Sequence, residues 1–319
     1  MRVLFVASGN HGKISPVVKA QGDSLAKAGI EVDYFLIKGM GIKGYLGQIL
    51  PLRKYWKKGN FDVVHAHFSF SSYVASLARV KPLVVSLMGS DLKATPWNKK
   101  MIRFFSKVFR WREIIVKSRD MAADLPMEVH VIPNGVDTEL FVPMDKEMCR
   151  QRLGWKEGVK HVLFPANPDR AEKDFPLAQE AVSLLGFEVQ LHVFENVEHK
   201  DTVYYYNAAD AVLLTSKWEG SPNVIKEAMA CGCPIVSVDV GDVRERIQGV
   251  EGCYVAATRE PKDIAELLNN AMSFEGKTNG REKLISDGLD NQIVVRKLFD
   301  MYYKTQHCMY SNNCKSCQD

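Results

Sequence analysis

Residues 211–239, "AVLLTSKWEGSPNVIKEAMACGCPIVSVD", read as strand, loop, helix and strand in immediate succession. "AVLLTS" is a short apolar run of the kind that fills a strand buried on both faces, and "PIVSVD" is a second. Between them "KWEG" is an exit loop, Ser221 is placed to cap a helix with Pro222 at its first position, and Gly232 stops it. Strands joined by a crossover helix are the unit of doubly wound α/β sheets. The free N–H groups of Asn223, Val224 and Ile225 then sit at the positive end of the helix dipole, where a phosphate is favoured. Glu227, one turn deeper on the face of Asn223, would repel a phosphate but suits hydroxyls such as those of a ribose. Glu219, in the loop before the helix, could reach hydroxyls beyond the phosphates. The same spacing also fits two ordinary solvated glutamates.

The alternation extends in both directions. Upstream, "RVLFVA", "EVDYFLI", "FDVVHAH", "PLVVSLM", "EIIVKS" and "VHVIP" are strand runs, with helical stretches near 45–58, 70–79 and 97–109. Around "PNGVDTELFVPMD" (133–145) the pattern pauses at a turn, and the polar linker running on to about residue 158 carries no strand signal. A second series, "VKHVLFPA", "VQLHVFE", "AVLLTS", "PIVSVD" and "CYVAA", follows, with helices opening near Phe175, Asp201, Pro222, Asp242 and Pro261. A chain of 319 residues is too long for one ordinary core and predicts two domains of roughly 150 residues. We place them at 1–150 and 151–290, two Rossmann-like α/β domains facing a cleft, the expected ligand site.

Composition narrows the functional classes. The net charge of +4 is too small to indicate nucleic acid by itself. No apolar run approaches the roughly 20 residues of a membrane-spanning helix, and "MRVLFVAS" lacks a cleavage site, so a cytoplasmic protein is expected. Of seven cysteines, Cys149, Cys231, Cys233 and Cys253 lie in strand and helix patterns as reduced apolar residues. Cys308, Cys314 and Cys317 occupy a polar tail, 308–319, read either as a disordered end or, with His307, as a metal or redox site. No Asp-x-Asp occurs, which removes the usual carboxylate clamp for nucleotide-bound Mg²⁺.

Glu219 and Glu227, with seven residues between them inside "AADAVLLTSKWEGSPNVIKEAMACGCPIVSVDVGDVRE" (208–245), resemble the E-x7-E signature of the retaining glycosyltransferases of family 4, which have the GT-B fold. The resemblance runs almost continuously from about Val159 to Val255, and "IPNGVD" (132–137) is similar to the family's passage between domains. The first domain fits by organisation more than by motif. The resemblance implies metal-independent transfer of a sugar from a UDP- or GDP-linked donor, without a separate cofactor, to a glycan or lipid-linked acceptor bound mainly by the first domain. It implies that Glu227 holds the ribose, Glu219 the donor sugar, and Ser221, Pro222, Asn223 and Val224 the distal phosphate and sugar. In "NPDRAEKDFPL" (167–177), Arg170 and Lys173 match the cations that the family sets against the pyrophosphate, though at a shorter spacing; a solvated charged turn is the alternative. The fold also implies that the final helix, 291–307, crosses back to the first domain.

In the first domain, "SGNHGKIS" (8–15) ends a strand and opens a helix, which predicts Gly12 beside the donor and Asn10 and Lys13 beside the acceptor. It is not a dinucleotide fingerprint. His65 and His67 share one side of a strand, so one could line the acceptor pocket and either could be a satisfied structural histidine. In "SLMGSD" the family often has His before the Gly, and this chain has Met88, leaving Asp91 or His67 as substitutes. From Leu92 to Arg112, seven Lys and Arg interleave with Trp97, Phe104, Phe105, Phe109 and Trp111 and no acidic residue. Residues 93–112, with the shorter "LRKYWKKG" at 52–59 adding to them, therefore fit a peripheral contact with an anionic membrane, or a helix packed on its sheet with a solvated basic face. No motif supports nucleic acid. A nucleotide-sugar epimerase of the same fold, or a non-catalytic nucleotide-sugar binder, is the rival to a transferase.

Overall fold

The computed structural model describes residues 1–9, 12, 14–39, 41–93 and 96–307. It divides into two compact units, Met1–Asn134 with the chain from Asn291 onward, and Gly135–Asp290. Among the described residues the first unit holds six parallel strands: β1 (Arg2–Ser8), β2 (Glu31–Ile37), β3 (Val63–His67), β4 (Leu83–Ser86), β5 (Glu113–Val116) and β6 (His130–Val131), in the order β2-β1-β3-β4-β5-β6. The second holds β7 (Lys160–Phe164), β8 (Val189–Val193), β9 (Ala211–Leu214), β10 (Ile235–Val238) and β11 (Cys253–Ala256), in the order β11-β10-β9-β7-β8. Every pairing is parallel.

Apolar content on both faces is what makes these sheets parallel and internal. Along β1, Leu4 and Val6 join one buried cluster while Val3, Phe5 and Ala7 join another, as the two-residue period of a strand requires. The first cluster lies under the helices Ile49–Gly59, Ser69–Leu77 and Pro96–Phe109, and the second under Pro16–Lys27 and Asn291–His307. The helix Asn291–His307 is tied down in the first unit by Tyr302, whose hydroxyl meets His65 Nδ1 at 2.6 Å, and by Gln306, which donates to Asp62 at 2.7 Å.

The division at Asn134–Gly135 corrects the boundary placed at 150. Residues 146–153 form a helix capped by Asp145, whose side chain accepts from Met148 N–H at 2.7 Å. That helix is fastened to the second sheet by a buried carboxylate, Asp210, at the entry to β9. Asp210 accepts from Arg150 Nη2 at 2.7 Å, Lys146 Nζ at 3.0 Å and the His161 N–H at 2.8 Å, and these cations hold it below its ordinary pKa against the opposing effect of burial.

Asp210→Ala should strand two cations and one N–H, at a cost of about 3–5 kcal/mol. Chemical denaturation of wild type and variant measures the loss; a difference below about 1 kcal/mol would mean that the cations find water instead.

Candidate functional site

In an open parallel sheet, neighbouring strands whose connections depart in opposite directions leave a crevice at their carboxyl ends. In the second sheet that point is β7 beside β9, and the loops leaving these strands carry Lys173 and Glu219. The structure brings the two together: Lys173 Nζ lies 2.5 Å from Glu219 Oε1, with both side chains largely covered. Ser216 Oγ donates to the same oxygen at 2.8 Å. The backbone beneath is stitched across three loops. Thr215 Oγ1 donates to the carbonyls of Lys173 and Asp174, both at 2.9 Å, and Arg259, after β11, donates to the carbonyls of Thr215 (2.7 Å) and Ser216 (3.0 Å). Gly241, after β10, has φ +58°, and a Cβ there would lie 2.6 Å from the Gly220 carbonyl. Only glycine lets that loop close on Glu219 and Gly220.

Arg170 is not gathered with this pair. It is exposed and bonded to Glu172 Oε1 through Nε at 2.8 Å.

The helix after β9 runs Asn223–Ala230, one residue later than the sequence reading placed it. Pro222, with ψ 121°, is its N-cap, and no side chain caps the end, which corrects the assignment of Ser221 as the cap. The first-turn N–H groups of Asn223, Val224 and Ile225 have no earlier helical carbonyl to bond. Asn223 Oδ1 is buried without a hydrogen-bond partner among the described residues.

Glu227 is buried on this helix and held by two residues without a motif to mark them. Tyr206 Oη donates to Oε2 at 2.8 Å, and His199 Nε2 lies 2.9 Å from Oε1. Each carboxylate oxygen keeps one further lone pair for a hydroxyl. The bond to Glu227 raises the His199 pKa, burial opposing it, and burial sends Tyr206 well above its usual range. Beside Glu227, burial lowers the wholly enclosed Lys226 to about 8, with Asp242 pulling the other way. Asp242 itself pairs with Arg246 at 3.0 Å.

The first sheet has its own switch point, between β1 and β3. After β1, Gly12 is exposed at φ +73° and donates to the Gly9 carbonyl at 3.0 Å, while Asn10 and Lys13 lie outside the described residues. At the end of β3, His65 is satisfied by Tyr302 and by Ser86 Oγ at 2.8 Å. His67 is fully buried, 4.5 Å from the Phe5 ring, with neither nitrogen hydrogen-bonded among the described residues; burial, aided by Lys117, lowers it to about 3. Asp91 accepts from Ser69 N–H at 2.8 Å, Ser69 Oγ at 2.6 Å and Met88 N–H at 2.5 Å, so its carboxylate braces the loops leaving β3 and β4. Among the described residues no cluster of His, Cys, Asp and Glu could hold a metal ion, and the three tail cysteines lie outside them.

Comparison with known proteins identifies the family and the fold. Residues 159–273 match the family described as "Glycosyl transferases group 1" and residues 21–140 match "Glycosyltransferase Family 4". The chain belongs to the group 1 glycosyltransferases of family 4. It is 29% identical over 269 residues to D-inositol 3-phosphate glycosyltransferase 1 of Catenulispora acidiphila, covering 66% of this chain and 63% of that protein. It is 28% identical over 260 residues to the lipopolysaccharide core biosynthesis mannosyltransferase LpsB of Rhizobium meliloti, covering 70% and 69%. The chain thus spans less than two thirds of the Catenulispora protein. In structure it is similar to sucrose-phosphate synthase of Thermosynechococcus elongatus, with a TM-score of 0.78, 16% identity and 97% and 99% of the two chains covered. It is similar as well to Anabaena HepE solved with UDP-glucose, at 0.74, 17%, 95% and 100%. These likenesses establish the fold as GT-B.

Because the partner raises the His199 pKa, the pair's stabilisation is complete below the unfolded value of 6.5 and fades as pH rises through the higher folded value. The melting-temperature gap between wild type and His199→Gln should accordingly be widest below pH 6.5 and narrow as pH rises past the raised folded value. A gap that is constant with pH would show that His199 packs there without its charge.

Proposed function

We propose that the chain transfers a hexosyl unit from a UDP- or GDP-linked donor, with retention of anomeric configuration, to a glycan or lipid-linked acceptor in cell-surface polysaccharide synthesis. One observation carries the reading. The second unit joins, on a single strand–loop–helix segment, an uncapped helix N-terminus, a carboxylate bound to a lysine, and a second carboxylate fixed from below by Tyr206 and His199. That combination suits a diphosphate flanked by two polyols. In the proposal the diphosphate lies on the N–H groups at Asn223 and Val224 beside Ser221 and Pro222, the ribose on Glu227 and the sugar on Glu219.

Breaking the bond from the sugar to the diphosphate leaves charge on the departing phosphate. In this reading Lys173 meets it, exchanging Glu219 for a phosphate oxygen, and Arg170 would have to leave Glu172 to help. Groups that meet charge as it develops favour the transition state over the ground state. The acceptor is assigned to the first unit, as the family resemblance implies, on the side of Asn10 and Lys13, with Gly12 toward the donor. The naming of LpsB for a lipopolysaccharide-core mannosyl transfer supports a surface glycan, and HepE with UDP-glucose supports a uridine donor.

A panel of UDP- and GDP-sugars, assayed for binding by calorimetry and for transfer or hydrolysis, tests the proposal. If no member binds or turns over, it fails. Glu227→Ala should remove donor binding.

Lys173→Ala should lower kcat by about 10²–10³-fold, the usual cost of losing one charge-stabilising group, with a smaller change in donor affinity. An equal loss in affinity and none in kcat would place Lys173 in ground-state binding alone.

A further inference from the structure

Charge in this chain is strongly segregated. Residues 34–112 contain fifteen Lys and Arg against two acidic residues, a net of +13 in a chain whose total is +4, so the remainder is net −9. Neither acid offsets this at the surface: Asp91 is buried, and Asp62 is bonded to the Arg2 N–H and to Gln306. The same stretch carries an unusual set of exposed apolar side chains. Ile42 is 75% exposed, Leu50 68%, Trp97 70%, Phe104 57% and Val108 55%. All stand on helices that cover one face of the first sheet, Gly41–Leu46, Ile49–Gly59 and Pro96–Phe109, each packed on the helix Ser69–Leu77 between them.

The pattern on Pro96–Phe109 is regular. Ile102 and Phe105 point into the core, while Trp97, Lys100, Phe104, Lys107 and Val108 recur at three- and four-residue intervals on the outer face, with Arg103 at its edge. Ile49–Gly59 repeats the design, burying Leu52 and turning Leu50, Lys54, Lys57 and Lys58 outward. Among the described residues none of these six cations pairs with an acidic side chain; Lys99, by contrast, is held by Asp124 at 2.7 Å.

We propose that this face seats the protein on an anionic lipid bilayer, with the apolar side chains entering the headgroup boundary and the cations binding lipid phosphates. Charge complementarity selects that occupant. A second copy would bring two strongly cationic faces together. Nucleic acid would satisfy the cations and could stack on Trp97 and Phe104, but it offers nothing to Ile42, Leu50 and Val108, which acyl chains accommodate. The proposal joins residues 52–59 and 93–112 into one face, adds the helix Gly41–Leu46 to it, and does not depend on the donor site.

The test is co-flotation of the full chain with vesicles of pure phosphatidylcholine or of phosphatidylcholine with 30% phosphatidylglycerol (about 0.1 M salt, where screening is moderate). The protein should float with the anionic vesicles only. Lys100→Glu/Arg103→Glu/Lys107→Glu should weaken binding about a hundredfold, and Lys54→Glu/Lys57→Glu/Lys58→Glu, on a separate helix, by a similar factor. Tryptophan emission should shift to the blue on vesicle binding, and Trp97→Ser should remove most of that shift. Melting temperature and solution binding of the nucleotide-sugar should stay unchanged in these variants, which separates this proposal from the reading of the donor site. The proposal is overturned by failure to float with anionic vesicles or by undiminished binding of both triple variants. A single-stranded oligonucleotide that displaces the vesicles at equal charge concentration, or a vesicle-free dimer lost in the variants, would assign the face to nucleic acid or to a second copy.

Discussion

A strand hydrogen-bonded on both edges and covered by helices on both faces has no room for chemistry along its length. In both sheets of this protein every strand runs the same way, so polar groups that must meet a ligand are forced to the carboxyl edge, onto the loops. The second unit follows this constraint closely. Its strands β7, β9 and β10 are buried almost throughout, while Lys173, Glu219 and Gly241 all lie in the loops that leave them. Arg259 and Thr215 then convert three separate loops into one surface by bonding carbonyls rather than side chains, which fixes the backbone and leaves the functional groups on top. The same constraint leaves an uncapped helix start beside those loops.

Glu227 shows how a buried carboxylate is made usable. Buried where its helix meets the helix Thr202–Ala208 and the turn before it, it would be costly as a lone charge. Tyr206 and His199 each supply one donor, to different oxygens, so the carboxylate is both oriented and partly neutralised. Phe141 packs edge-on against both rings and keeps that clamp in place.

The strands and their alternation with helices were legible in the sequence because each is a compact apolar run bounded by glycine, proline or polar residues. The paired glutamates were legible for the same reason: they flank a single helix start. What the sequence hid depends on long-range partners. The helix at 146–153 looked like part of a polar linker, because the carboxylate that buries Arg150 lies 60 residues away at Asp210. His199 and Tyr206 precede Glu227 by 28 and 21 residues and carry no motif. The cap at Ser221 was misread because serine before proline is an equally good turn, and Pro222 stayed in the extended region. Asp91, read as a ligand-facing acid, is bonded inward to two loops, a fate that depends on where Ser69 and Met88 fall in space. Surface charge was legible locally at 52–59 and 93–112, but its alignment on one face with the helix Gly41–Leu46 required the sheet beneath them.

The contact between Lys173 and Glu219 has a consequence for discrimination. A lysine reaching the loop that feeds a bare helix end would attract any small anion, including the free phosphate that accumulates wherever nucleotides are consumed. With Glu219 already on that lysine, an anion must displace a carboxylate before it gains the charge. Inorganic phosphate offers the carboxylate nothing in return. A ligand that carries hydroxyls next to its phosphate gives Glu219 a new set of donors as it takes the lysine, so the exchange is favourable only for a molecule with both. In the proposed donor site the pair would thus act as a two-key lock, its selectivity coming from what must be broken as much as from what is formed.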